Sequence, residues 1–222
     1  MSVELYLDKM SQPARAVWWF MLLENIPHKL KVLHILKGQH RTAEYRKINP
    51  HGKLPAIVIN GVIKLDESHS ILRYLADKFN APDHWYPKSL EARARVNEYL
   101  DWHHLHLRKY AVKYFRYKYI GPMFAEGKRP SAQSVLSCEK SLKKTLNTID
   151  KLYLGSTQFV CGNQVSISDL ICYSEVKQLA ILRFDFEEYP KLSKWMEAME
   201  QLPHWEEVHK ILNIIVQRQS KL

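Results

Sequence analysis

Cysteine is scarce in this sequence. The 222 residues hold three, Cys138, Cys161 and Cys172. They are too few and too scattered for a disulfide scaffold or a zinc ribbon, so a reducing, intracellular compartment is expected. Seven glycines and ten prolines exclude a collagen-like chain. No apolar run approaches the roughly 20 residues of a membrane span, so stable membrane insertion is not expected. The first residues, MSVELYLDKM, carry acids and alternate polar with apolar. They lack both the apolar stretch of a signal peptide and the arginines of a transit peptide, and a cytoplasmic location follows as an expectation. What is present is the balance of a folded chain, 46% hydrophobic and 25% charged, which excludes disorder as a description of the whole. At about 150 residues per domain, this length fits one large domain or two small ones.

Acid is also under-represented: 33 Lys and Arg face 23 Asp and Glu, for a net charge of +10. Such an excess raises the question of a nucleic-acid partner. The sharpest local case is Arg108–Tyr119, RKYAVKYFRYKY, with five basic residues, five aromatics and no acid. Basic–aromatic interleaving can grip single strands. The same residues also read as an amphipathic helix, with Tyr110, Tyr114 and Tyr117 on one stripe and Lys109, Lys113 and Arg116 on another. No zinc finger, RNP-type aromatic motif or GXXG loop accompanies the segment. The helix is therefore the reading taken, and no nucleic-acid partner is expected.

Two textures divide the chain. From Val3 to Asn80 the pattern switches between period 2 and period 3.6. Val3, Leu5 and Leu7 alternate as a strand, Pro13–Asn25 reads as a helix, and Lys29–Ile35 as a second strand. Lys37–Asn49 is polar and irregular. Leu54–Ile59 and Val62–Leu65 are strands joined by Asn60-Gly61, a dipeptide suited to a type I′ hairpin. Glu67–Phe79 reads as a helix. Asn80–Leu90, NAPDHWYPKSL, reads as a linker. Beyond it the expected elements are helices, at Glu91–Ile120, Ser131–Tyr153, Ser168–Leu182, Lys191–Leu202 and His204–Gln219. The expected organisation is an α/β domain over 1–80, a linker over 81–90 and an all-α domain over 91–222.

Three features of the first half fit together. Ser11-Gln12-Pro13-Ala14-Arg15 follows the first strand, where Pro is tolerated in a first helical turn. Ser11 is either a simple helix cap or a hydroxyl that stabilises an anion together with the helix N-terminus. Gly52-Lys53-Leu54-Pro55-Ala56 enters the third strand, and Pro55 fits there as a strand-opening proline or as a cis proline exposing the preceding backbone to a ligand. Asp66-Glu67-Ser68 opens the helix after the hairpin. Ser68 is either a cap or a carboxylate-binding hydroxyl backed by free amides.

With these motifs in place, the sequence resembles the cytosolic glutathione transferases, most of all the theta class. The matching stretches are LYLDKMSQPARAV, LKGQH, INPHGKLPAIV, LDESHSILRYL, DHWYP and ARARVNEYLDWH, covering most of residues 3–103. Phe159-Val160-Cys161-Gly162 leading into Ser166-Ile167-Ser168-Asp169 fits the second half, and Ser166 and Asp169 have capping-box spacing. The resemblance implies a thioredoxin-like N-terminal domain holding glutathione and a helical domain supplying the electrophile pocket. It implies that Ser11 donates to the glutathione sulfur, favouring the thiolate. It places His40 and Lys53 at the glycine end, the Leu54 backbone at the cysteinyl backbone, and Glu67 and Ser68 at the γ-glutamyl end. Gln12 falls near the sulfur, and Arg108 matches a pocket arginine able to meet the sulfur or a departing anion. Conjugation to alkyl halides or epoxides, with peroxide reduction as a side activity, is the implied chemistry. Glutathione is a co-substrate, no cofactor or metal is implied, and the partner is a second copy of the chain.

Three departures stand out. Leu105 occupies the place of a theta-like aspartate that reaches the glutathione amine across the dimer. Arg116 stands where mammalian theta enzymes carry an apolar or aromatic residue. The sequence ends at Leu222, short of the tail that covers the mammalian theta site, so a more open pocket is expected. Tyr6 lies close to where other classes place a thiol-activating tyrosine, but the SQPARAV context favours Ser11. In the cluster His103, His104 and His106, His103 and His106 can share a helical face, yet no third metal ligand is evident at suitable spacing. Trp18, Trp19 and Trp102 read as packing residues. The competing functional reading is a non-catalytic binding or scaffold protein of the same fold, which +10 and Leu105 favour slightly and the intact Ser11, Pro55 and Glu67-Ser68 set opposes.

Overall fold

The computed structural model describes residues 2–123 and 130–219, so Leu222 lies outside the described residues. Strand β1 (Val3–Leu7) buries Val3, Leu5 and Leu7 and leaves Glu4 and Tyr6 half-buried, as its alternation requires. Helix α1 (Gln12–Leu23) follows, with a proline in its first turn. Its residues are apolar on nearly every side because it is covered on nearly every side; Ala14 and Ala16 through Met21 are all buried. Strand β2 (His28–Val32) pairs parallel with β1. It is shorter than the expected Lys29–Ile35. Asp8 explains the difference: one carboxylate oxygen accepts from Ile35 N–H at 2.8 Å and the other from Met10 N–H at 2.8 Å, which pulls the chain off the sheet.

The polar stretch that follows holds two 3-10 turns, Ile35–Lys37 and Gln39–Arg41, and a short helix α2 (Ala43–Arg46) capped by Thr42. Strands β3 (Ala56–Ile59) and β4 (Ile63–Asp66) form the hairpin. Asn60 and Gly61 both have positive φ, 51° and 74°, and Val62 N–H donates to the Ile59 carbonyl at 3.0 Å, which is why this dipeptide sits there. The sheet order is β2-β1-β3-β4, with β1 antiparallel to β3. Helix α3 (Ser68–Lys78) closes this thioredoxin-like half.

The rest is helical. Helices α4 (Leu90–Leu105) and α5 (Leu107–Phe115) were expected as one, but the backbone breaks at His106, φ −119° and ψ −83°. The His106 ring stacks on Trp102 at 5.0 Å, and its Nδ1 donates to the same Trp102 carbonyl that its own N–H uses. A π-turn at Arg116–Ile120 and a single turn α6 (Gly121–Met123) extend α5. Helix α7 (Ala132–Thr148) runs into a second π-turn, and α8 (Ile167–Gln178), α9 (Pro190–Glu200) and α10 (Trp205–Gln219) complete the fold.

Helix α8 is buried along almost its whole length and starts at the expected capping box. Asp169 Oδ2 accepts from Ser166 N–H and Oγ–H at 2.8 and 2.9 Å; its Oδ1 accepts from Val160 N–H and Trp195 Nε1–H at 2.8 and 2.9 Å. The stripe of Tyr110, Tyr114 and Tyr117 packs on the core while Lys109, Lys113 and Arg116 stay exposed, the amphipathic arrangement the sequence indicated. The two halves share one continuous core. Trp19 Nε1 donates to the Pro203 carbonyl at 2.8 Å, and Trp85 is bonded to Glu24 on one side and, through its carbonyl, to Ile167 N–H on the other.

Candidate functional site

Ser11 stands at the N-cap of α1 and is buried, but its hydroxyl makes no capping bond. Of the two readings of this residue, the simple cap is therefore not realised. The loop bearing it is clamped from behind by Arg15, a side chain with no exposure at all. Arg15 Nη1 donates to the Met10 and Lys9 carbonyls at 3.1 and 3.4 Å. Its Nη2 donates to the Ser174 carbonyl at 3.0 Å and to Gln178 Oε1 at 2.9 Å, both on α8. Burial pulls its pKa down to about 10, still far above neutral. The sequence reading used Arg15 only as part of a motif and missed this role, because its partners lie at the other end of the chain.

Arg108, on α5, reaches the same place. Its Nη1 donates to Gln12 Oε1 at 3.2 Å and is paired with Glu175 of α8. Glu175 is enclosed, and burial raises its carboxyl pKa against the opposing pull of Arg108. Glu175 was not singled out from sequence, since a lone acid in a helix carries no motif.

A cavity of about 310 Å³ lies beside this network. It is lined by Lys53, Leu54, Glu67, Ser68 and Arg108, together with Pro13, Pro55, Asp66 and three histidines. The Leu54–Pro55 bond is cis. Ser68 is buried in the first turn of α3, where free backbone N–H groups favour an anion; Glu67, exposed just before it, has φ of 65°. Of the expected residues, Lys53, Leu54, Glu67, Ser68 and Arg108 are thus brought together directly. Gln12 joins through Arg108 and Ser11 through the chain beside Gln12 and Pro13. His40 is not on this wall. Its carbonyl lies only 3.0 Å from where a Cβ on Gly52, the residue before Lys53, would sit, and burial lowers its ring pKa.

Tyr6 is elsewhere engaged: its hydroxyl donates to Glu4 Oε2 at 3.1 Å and its ring packs against Tyr45. Leu105 is exposed. Arg116 is exposed too, and with Arg108, Lys109, Val112, Lys113 and Tyr117 it lines a basic groove of about 450 Å³ that runs on from Arg108.

His103 and His106 do not share the face that their spacing suggests, but a different set of histidines comes together. His69, on α3, lies with His103 and His104 so that one ring nitrogen of each falls within 4.8 Å of the others, while His106 faces Trp102 instead. Burial, then the neighbouring His104 and Arg73, drops the His69 pKa to about 3. Burial also holds His103 well below the ordinary range.

Comparison with known proteins covers both halves. A family model described as "Glutathione S-transferase, N-terminal domain" matches residues 5–83, and one described as "Glutathione S-transferase, C-terminal domain" matches residues 100–203. The Arabidopsis thaliana protein named glutathione S-transferase T1 is 38% identical, over 96% of this chain and 89% of that protein. The Homo sapiens glutathione S-transferase theta-1 is 37% identical, over 90% of this chain and 83% of that protein. Among solved structures, a human theta-class glutathione transferase in complex with the glutathione conjugate of 1-menaphthyl sulfate superimposes with a TM-score of 0.91 and 35% identity, covering 100% of this chain and 91% of that one.

Proposed function

The chain belongs to the glutathione S-transferase family, and on that premise we propose that it conjugates the glutathione thiolate to small electrophiles whose leaving group departs as an anion. The observation that carries this reading is the cavity where Lys53, Leu54, Glu67 and Ser68 meet Arg108. Ser68 and the N-terminus of α3 suit the γ-glutamyl carboxylate, Glu67 suits its ammonium, and the Leu54 backbone suits the cysteinyl unit. Lys53 and His40 suit the glycine carboxylate. Gln12 lies toward the sulfur.

Ser11 is the thiolate-stabilising donor. Its hydroxyl is not spent on the helix, and it sits at the positive end of α1, so both the hydrogen bond and the helix dipole favour the anionic sulfur. The thiolate forms the new C–S bond as the C–X bond breaks, and the electron pair leaves with X. With an epoxide, the ring oxygen takes that pair and then a proton. Arg108 faces the departing anion, and the basic groove beyond it, with Lys109, Lys113 and Arg116, favours anionic leaving groups such as halide or sulfate. Holding both reactants in one geometry supplies much of the acceleration. Alkyl halides, epoxides and aryl-methyl sulfates are the substrate classes to try first, with peroxide reduction as a side activity.

Glutathione is the co-substrate, and this step calls for no other cofactor. Residues 1–80 form the glutathione-binding domain, 81–90 the linker and 91–222 the domain supplying the electrophile pocket. A homodimer in the cytoplasm is the accompanying expectation, each N-terminal domain against its partner's helical domain. A non-catalytic scaffold is not favoured, since the matching relatives carry transferase names.

The test is glutathione-dependent turnover on that panel by wild type, Ser11→Ala and Tyr6→Phe. Loss of roughly 10²-fold in kcat for Ser11→Ala with glutathione binding retained supports the reading. A comparable loss in Tyr6→Phe alone overturns the Ser11 assignment, and glutathione binding without turnover on any substrate overturns the enzyme assignment.

A further inference from the structure

We propose that His69, His103 and His104 form a three-histidine site for a divalent transition ion of the zinc type. Two observations carry it. The first is an unmet hydrogen-bonding need. His69 and His103 are 4% and 2% exposed, yet His69 Nε2 and both ring nitrogens of His103 have no hydrogen-bond partner among the described residues. Burying such groups without partners is costly, and a coordinated ion satisfies a nitrogen lone pair that nothing else nearby meets.

The second is geometry. Three imidazoles around one tetrahedral ion, with metal–nitrogen bonds of about 2.0–2.1 Å, hold their ring centroids about 5 Å apart. Here the centroid separations are 5.1 Å for His69–His103, 4.0 Å for His69–His104 and 6.0 Å for His103–His104. The ligand nitrogens lie within 4.8 Å of one another, against the roughly 3.3 Å that such bonds require at a tetrahedral ion, so binding draws the rings in by about 1.5 Å, with the exposed His104 moving most. His103 and His104 diverge as neighbours on α4, and His69 from α3 bridges them.

Three neutral nitrogens and a fourth position opening onto the cavity suit Zn²⁺, with Cu²⁺ and Ni²⁺ as chemical neighbours. The charges facing the cluster are Arg73 and Arg108 on one side of the account and Glu67 and Asp101 on the other, so they come close to balancing.

The test uses full-length, tag-free protein freed of glutathione and titrated with Co²⁺ alone. The expected result is ligand-field absorption of low-coordinate cobalt that saturates at one ion per chain and is bleached by Zn²⁺. His104→Ala, at an exposed position, and His69→Val, which keeps an apolar side chain, each weaken Co²⁺ at least tenfold. Cys161→Ser and His51→Ala leave it unchanged. Absence of saturable binding overturns the site. So does a folded His104→Ala that binds like wild type, or loss of binding in either control. Should His69→Val fail to fold, His104→Ala decides alone. No glutathione enters the readout, so the result stands apart from the transferase reading.

Discussion

Replacing Arg108 by alanine strands Glu175. The acid is 1% exposed; one of its oxygens is paired with Arg108, and the other, Oε2, has no partner among the described residues. Arg15 still attracts it through space, but the Arg15 donors are committed to the Met10, Lys9, Ser174 and Gln178 oxygens. Removing one member of a buried pair costs about 3–5 kcal/mol, and the low end applies because Arg15 remains and the carboxyl can take a proton. A loss of about 3 kcal/mol corresponds to roughly 6–12 °C in Tm for a chain of this size. Without Arg108 the folded-state pKa of Glu175, already raised by burial, rises further. The folded form then holds its proton more tightly than the unfolded form. The deficit relative to wild type is therefore absent below the unfolded pKa and grows as pH rises through the folded one. Adding Glu175→Gln removes the stranded charge, so the double variant regains most of the stability at neutral pH while its turnover stays low. Urea unfolding of wild type, single and double variants between pH 5 and pH 8 reads all of this. A deficit under about 0.5 kcal/mol at pH 7, or one that does not widen with pH, refutes the stranded-charge account.

Other consequences follow from the same burial. His69 and His209, both enclosed with pKa values held at about 3, prefer the neutral form; folding stability they contribute is complete above the unfolded value near 6.5 and is lost as pH falls. With a limiting slope of about 1.4 kcal/mol per pH unit each, reached only below the unfolded pKa, the two cost about 3 kcal/mol between pH 6.5 and 5, and His103 acts in the same direction; an unchanged urea midpoint at pH 5 would count against this. Asp169→Ala leaves two backbone N–H groups, the Trp195 indole and the Ser166 hydroxyl without their acceptor, so a loss of at least about 4 kcal/mol is expected, with little folded protein recovered at 37 °C. Gly52→Ala places a Cβ at φ +60° and 3.0 Å from the His40 carbonyl, so it is expected to cost about 1–2 kcal/mol and to raise the KM for glutathione severalfold while sparing kcat, as steady-state kinetics will show.

Local chemistry was legible and long-range chemistry was not. The Asn60-Gly61 hairpin, the capping box of Ser166 and Asp169, the alternation of Val3, Leu5 and Leu7 and the amphipathic run from Arg108 each depend on residues a few places apart, and each stands where the sequence put it. The break at His106 escaped because a single residue that turns its ring onto Trp102 leaves the apolar period intact on both sides. The histidine cluster escaped for a different reason: two members adjoin on α4, but the third comes from α3, and spacing along one helix cannot register it. Glu175 and Arg15 escaped because a charged side chain looks solvent-exposed until the fold encloses it.

Those two missed residues change how the halves of the molecule relate. Ser11 belongs to the N-terminal half, yet what holds its loop is Arg15 bonded to Ser174 and Gln178, and what holds neighbouring Gln12 is Arg108 bonded to Glu175. All three of those anchors, Ser174, Glu175 and Gln178, lie within about one turn of α8, and that helix is fixed at its start by the Asp169 capping box. A hydroxyl tunes a thiolate only if its oxygen is held within a few tenths of an ångström of the sulfur, since hydrogen bonds weaken steeply with distance and angle. Under the proposed assignment of Ser11, the precision of the thiolate site is therefore set by the packing of α8, about 160 residues along the chain, and the helical half bears on the sulfur chemistry as well as on the electrophile.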